Sequence, residues 1–268
     1  MTSQNIYLDG VGLLGPGLAD WAQACDVLTG RQPYVTAPTV LPVVASLPPA
    51  ERRRVGIPVK LSMAIGLEAA RHAGADVANL ATVFSSTEAD CDNTHAILEA
   101  LASSDRALSP TRFHNSVHNA PSGYWGIATG SMQASTSLNA FDGTFAAGLL
   151  EAAVQAISTG QPCMLLAYDT AFPEPMRSVR PIPDAMGVAL VLNPHQTSTA
   201  RALLKLTLSD DSATPMPQDE LGRLGHDIPV ARSLPLLALL AQGRSGSVLV
   251  EYLDRLQLGI EVCSLSEV

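Results

Sequence analysis

The sequence predicts an α/β layered fold around a largely buried sheet. Three observations carry that expectation. Continuous apolar runs such as "CMLLAY" and "GVALVLN" read as strands covered on both faces. They alternate with Ala-rich stretches whose apolar residues recur three and four apart, as in "KLSMAIGLEAARHAG". The chain has 268 residues, 47% of them hydrophobic and 15% charged, which suffices for one large domain or two closely packed lobes.

Taken in order, "IYLDGVGLLG" reads as a strand running into a Gly-rich turn. Leu18 to Thr29 reads as a helix stopped by Gly30, a residue suited to the C-terminal cap. Residues 33 to 50, rich in proline, read as irregular loop. Lys60 to Gly74 is an amphipathic helix, "LATVFSSTEAD" a buried strand and polar turn, and His95 to Ser103 a further helix. "STSLNAFDGTFAAGLLEAAVQAISTG" reads as a strand that stops abruptly and turns into a helix of small residues, expected to be buried at the centre of the fold. "QPCMLLAYDT", "MGVALVLNP" and "LLKLTLSDD" follow as strands. Asp210 to Pro229 reads as polar turns, Leu234 to Leu240 as a short apolar helix, and "GSVLVEYL" and "LGIEVCSL" as two closing strands.

Charge and composition exclude several functions. The net charge is −9, so the surface repels nucleic acid and anionic lipid. No apolar run reaches the roughly 18 residues of a membrane span, and the start of the chain lacks the pattern of a secretion signal. A cytoplasmic protein is expected. Cys25, Cys91, Cys163 and Cys263 are scattered, without metal-ligand spacing, and read as free buried thiols. "GVGLLGPG" lacks the Lys-Ser/Thr of a phosphate loop and the acidic residue of a dinucleotide fold. No cofactor is expected.

The most unusual stretch is "RFHNSVHNAPSGYWGIATG", from Arg112 to Gly130. His114 and His118 are four apart and would share one face of a helix, but no third metal ligand is evident. A polar turn bonding to backbone at an interface is the plainer reading.

Together, "SPTRFHNSVHNAPSGYWGIATG", "STSLNAFDGTFAAGLLEAAVQAISTGQPCMLLAYDT" and "GVALVLN" resemble the N-terminal half of the β-ketoacyl synthases, over residues 1–195. "FHNSVHNAPSGYW" resembles the short synthase-like proteins of aryl polyene-type clusters. The resemblance implies a thiolase-like fold, layered α/β/α, with residues 196–268 as a truncated C-terminal portion packed on the same domain. In active members a strand delivers a cysteine to the N-terminus of a buried helix. Counting back from Gly160 places that position at Gly143, give or take one residue, so Asp142 and Gly143 are the degenerate nucleophile position. Neither can carry an acyl group as a thioester. The family's catalytic histidines also lack counterparts, since His226 in "LGHDIP" has no His-Gly-Thr context.

No catalytic residue is therefore expected. The resemblance implies a chain-length-factor-like subunit that pairs with a full-length synthase and shapes its acyl tunnel. Phe113, His114, His118, Asn119 and Phe141 are the expected tunnel-gate or interface residues. An acyl carrier protein is the expected second partner, with Arg52, Arg53, Arg54 and Lys60 as candidate docking cations beside a solvated charge run as the plainer reading. Two alternatives stay open: an active condensing or acyl-transfer enzyme with an atypical nucleophile, and a binding protein for acyl chains or acyl carriers.

Overall fold

A computed structural model describes residues 4–217 and 219–265; the outermost residues of the expected 1–195 and 196–268 segments lie outside them. In chain order the elements are β1 (Gln4–Leu14), α1 (Trp21–Leu28), α2 (Pro49–Arg52), α3 (Ile57–Ala73), β2 (Ala81–Ser85), α4 (Cys91–Ala102), α5 (Pro110–Asn115), α6 (Ala120–Thr129), β3 (Ser135–Leu138), α7 (Thr144–Thr159), β4 (Cys163–Asp169), α8 (Met176–Val179), β5 (Met186–Asn193), β6 (Ala202–Ser209), α9 (Glu220–Asp227), α10 (Leu234–Ala241), β7 (Gly246–Leu253) and β8 (Leu256–Ser264). The eight strands form one sheet in the order β3-β2-β4-β5-β1-β6-β8-β7. β3, β2 and β4 run parallel, and every other pairing is antiparallel.

The sheet separates two apolar layers, giving the α/β/α arrangement. Along β4, Cys163, Leu165 and Ala167 face the layer that holds α1, α7 and α10, while Met164, Leu166 and Tyr168 face α3 and α6. β1 reaches the same result by a different route. Its register slips between Leu8 and Gly10, so Asp9 sits in a bulge. Ile6 and Leu8 before the bulge then share a face with Val11 and Leu13 after it. Gly10 and Gly12 turn toward α3, where an added Cβ would lie 2.2 Å from Ala69 O and 2.0 Å from Ile65 O respectively. The glycines expected to form a turn thus lie inside the strand, because helix backbone presses against it. The turn itself follows at Gly15 to Gly17.

Helix α3 also satisfies strand backbone that β6 leaves behind. β6 pairs with β1 only as far as Leu8. Beyond it, Leu13 N donates to Glu68 Oε2 at 2.8 Å, and His72 Nδ1 donates to Val11 O at 2.6 Å. Glu68 also accepts from Trp21 N at 2.9 Å, which fixes the start of α1. Burial pushes its carboxyl up, against the pull of these two bonds.

One further expectation is revised. The 210–229 segment contains helix α9, capped by the Asp219 side chain accepting from Gly222 N at 2.8 Å. Gly222 and Gly225 hid its period; Gly222 is needed where Pro217 O closes in, while Gly225 faces the flexible end of Met216. Helix α7 packs on β4, β2 and β5 and is covered from the far side by β7 and the Pro229–Ser233 turn. It is buried along one broad stripe, including Phe145, Leu149 and Ala153, while Val154 on its outer side is exposed.

Asp9 is buried, and its Oδ1 has no hydrogen-bond partner among the described residues. Burial raises its pKa, opposed by hydrogen bonds from Thr197 and Asn193. A carboxylate whose folded pKa lies above its unfolded one costs stability once the pH passes the unfolded value, near 3.9. Asp9→Asn is therefore expected to raise the thermal midpoint at pH 7 to 8. That advantage should shrink as the pH falls toward about 4. Thermal melts across this range check both signs.

Candidate functional site: a closed elbow between strand and helix

The turn from β3 into α7 is held by a dense set of local bonds. Phe141 N donates to Asn139 Oδ1 at 2.9 Å, and Thr87 Oγ1 donates to Phe141 O at 3.1 Å. Thr144 Oγ1 also donates to Phe141 O, and Asn139 Nδ2 donates to Thr87 O. Thr87 N in turn donates to Asp169 Oδ1 at 3.0 Å, while Val230 N reaches Asp169 Oδ2 at 2.7 Å. Asp169, at the end of β4, thus ties the elbow's support loop to the turn that covers α7. Burial pushes its carboxyl up, while these donors and Arg180 pull the other way.

Phe141 has φ +53°, one of two non-glycine residues with positive φ among the described residues, yet its side chain is 63% exposed. A strained residue between a strand and a buried helix is the conformation of an elbow apex. Asp142 is clamped: Arg180 Nη2 pairs with its Oδ1, and Arg232 Nη2 lies 3.0 Å from its Oδ2. Arg232 continues to Glu251 Oε2 on β7 at 2.6 Å. The Arg180 guanidinium lies 4.0 Å from the centre of the Phe141 ring. Gly143 is buried, and a Cβ there would fall 2.1 Å from Tyr252 O. A side chain cannot stand at that position while β7 covers it. Of the turn's residues, Phe141 alone presents a side chain outward at a strained backbone. An open cleft of about 1030 Å3 lies beside it, lined by Phe141, Asp142, Arg232, Tyr252 and Arg255.

Three of the four thiols are held protonated by burial. Cys91 and Cys163 are buried and pushed up to about 12, and Cys25 to about 11, in each case chiefly by burial. No histidine hydrogen-bonds the elbow among the described residues. No cluster of side chains suited to a metal occurs among them either.

The 113–119 segment differs from its expected form. α5 ends at Asn115 and α6 begins at Ala120, so His114 and His118 do not share a helix face. The intervening turn and Pro121 account for the break. His114 packs edge-on against Tyr124, with ring centres 6.3 Å apart. His118 Nε2 lies 3.0 Å from Ser86 Oγ, beside the loop that holds Phe141 O. Phe113 is 63% exposed, and Asn119 is exposed at the start of α6. Asn115 accepts from Tyr124 Oη at 3.0 Å and donates to Arg54 O at 2.7 Å, fixing α5 on the body of the protein.

The expected docking cations divide. Arg52 donates to Ala45 O and Leu47 O, and Arg54 pairs with Glu51. Arg53 and Lys60 remain, with Arg54 and with Arg112, which was not among the expected cations, around a cleft of about 410 Å3 that Asp90 and Asp92 share. Sequence reasoning missed Arg180, Arg232, Tyr252 and Asp169. They reach the elbow from far along the chain, and no local pattern marks them.

A strand-to-helix elbow closed under a three-layer α/β/α sheet defines a thiolase-like protein of the ketosynthase class. The family model described as the β-ketoacyl synthase N-terminal domain matches residues 21–250, and the chain belongs to that family. No curated protein sequence matches the chain. Among solved structures, it is similar to the ketosynthase ApeO in complex with its chain length factor ApeC from Xenorhabdus doucetiae. That alignment has a TM-score of 0.72 and 21% identity, and covers 96% of this chain and 99% of the other. It is similar to the ishigamide ketosynthase/chain length factor, with a TM-score of 0.71, 12% identity, and 98% and 100% coverage. It also resembles AntDE:AntF, a type II acyl-carrier protein in complex with its ketosynthase, with a TM-score of 0.71, 11% identity, and 98% and 100% coverage. At these identities the likeness is one of fold.

Gly143→Ala is expected to destabilise the protein by about 1–3 kcal/mol, because the methyl group meets strand backbone rather than a movable side chain. Gly123, in α6, has open space where its Cβ would be, so Gly123→Ala is expected to stabilise by up to about 1 kcal/mol. Paired urea melts check both directions.

Proposed function

We propose that this chain is a non-catalytic, chain-length-factor-like subunit that pairs with a full-length β-ketoacyl synthase and shapes the synthase's acyl tunnel. The observation that carries the reading is the elbow itself. Its architecture is kept, its strained apex is Phe141, and its next two residues are a clamped carboxylate and a glycine with no room for a side chain. An aromatic ring cannot attack a thioester, and the clamped Asp142 cannot hold one. On this reading Phe141 stands where an active relative carries its nucleophile.

The surface supports a protein partner. α4 has twelve residues, of which only Cys91 is buried, and Leu98 and Leu101 are exposed. A helix this short depends on packing for its stability. Exposed Ile127 on α6, which packs on β3, Met132 on the loop that enters β3, and Val154 on α7, beside Gln155 that bonds Thr136 of β3, flank the edge strand of the sheet. An open edge flanked by apolar side chains is suited to another sheet edge. Phe113, His114, His118, Asn119 and Phe141 would then lie at or near the interface. Arg53, Lys60 and Arg112 are the cations left for an acidic carrier protein. An aryl polyene product class fits the "FHNSVHNAPSGYW" stretch.

The test is co-expression with a full-length β-ketoacyl synthase from the same source. The chain alone is expected to self-associate, and with the synthase it is expected to elute as one heterodimer that condenses carrier-bound substrates. In that heterodimer, alanine at one or more of Phe113, His114, His118 and Phe141 should lengthen products without abolishing condensation, and an unchanged distribution in all four contradicts the length-setting role. A chain that stays monomeric beside the synthase, or turns over substrate alone, contradicts the proposal.

A further inference from the structure

Phe141 is held more firmly than an exposed side chain requires. Its backbone N–H and C=O are both bonded, to Asn139 and to Thr87 and Thr144, in a conformation that costs energy for a residue with a Cβ. Its ring adds nothing to either buried apolar layer. It makes no ring contact with another aromatic side chain among the described residues. What touches it is the Arg180 guanidinium, 4.0 Å from its centre, which also lies 5.8 Å from the Phe172 ring. That guanidinium is itself fixed by its ion pair with Asp142 Oδ1.

The two oxygens of Asp142 therefore do different things. Oδ1 holds Arg180, which lies over Phe141. Oδ2 holds Arg232, which runs to Glu251 on β7 and anchors the elbow to the covering strand. A ring on an exposed turn would otherwise move among rotamers. Under a cation that is fixed by an ion pair, it keeps one direction.

We propose that Phe141 is the side chain that limits the acyl chain in the partner's tunnel, and that Arg180 is the residue that positions it. This rests on the subunit reading given above and singles out the elbow, rather than Phe113 on α5, as the limiting element. The ring occupies volume that further methylenes of the growing chain would need. Arg180 sets where that volume is.

The experiment compares Phe141→Ala, Arg180→Gln, Arg180→Lys and Arg232→Gln in the heterodimer, with the product-length distribution as readout and Phe113→Ala alongside. Phe141→Ala and Arg180→Gln are expected to shift products toward longer chains, in the same direction and without adding in the double variant. Arg180→Lys should restore part of the distribution, because a cation is kept near the ring. Arg232→Gln should lower the thermal midpoint while the distribution stays at its parental value. In the chain alone, labelled at its five phenylalanines with 4-fluorophenylalanine, the fluorine resonance lost in Phe141→Leu should move in Arg180→Gln and stay in Arg232→Gln. If Phe113→Ala lengthens products and Phe141→Ala does not, the inference fails and the subunit reading stands. If Arg180→Gln and Arg232→Gln act alike on length or on the resonance, Arg180 is a structural residue and its positioning role is overturned. If no variant changes length in an intact heterodimer, the length-setting reading fails and this inference with it.

Discussion

The contact on which the rest of this structure depends is the approach of the Tyr252 backbone to Gly143. Strand β7 lies at the far end of the sheet from β3, and the fold brings it over the N-terminus of α7. That closure is possible only because residue 143 has no side chain. Once β7 is there, Glu251 is in reach of Arg232, Arg232 is in reach of Asp142, and the elbow is bound to the covering strand. The outer pair reaches a half-exposed Glu251 and contributes little, while the inner pair between Arg232 and Asp142 is largely shielded from solvent. The approach of the Tyr252 backbone leaves no room for a side chain at residue 143 itself.

The sheet and most of its helices were legible in the sequence because their signals are local. "CMLLAY" and "GVALVLN" are strands buried on both faces, and the run of residues between Gly143 and Gly160 is a helix. What escaped was set by distance or by masking. Gly10 and Gly12 look like turn residues, yet they mark the place where α3 presses on β1, and only the packing distinguishes the two. The bulge at Asp9 has no signature, although it decides which face every later residue of β1 adopts. Helix α9 was hidden by two glycines that serve close contacts of their own.

The site was legible in outline. The turn, the missing cysteine and the unusual 113–119 segment all stand out in the sequence. The strained backbone at Phe141, beside the expected Asp142–Gly143 position, did not. The positive φ of Phe141 is a property of the fold alone. Arg180 and Arg232 approach Asp142 from 38 and 90 residues away, which no spacing argument reaches. His114 and His118 show the opposite effect: their spacing suggested a shared helix face, and the break after Asn115 removed it.

The proposed silence of the elbow rests on its built geometry as well as on the absence of a cysteine from the turn. Burial pushes the Cys25, Cys91 and Cys163 thiols well above neutral pH. The measurement that bears most directly on this account is the intact mass of the chain after incubation with an acyl- or malonyl-loaded carrier protein. The account predicts an unchanged mass. A stable acyl adduct that maps between residues 139 and 145 would contradict it.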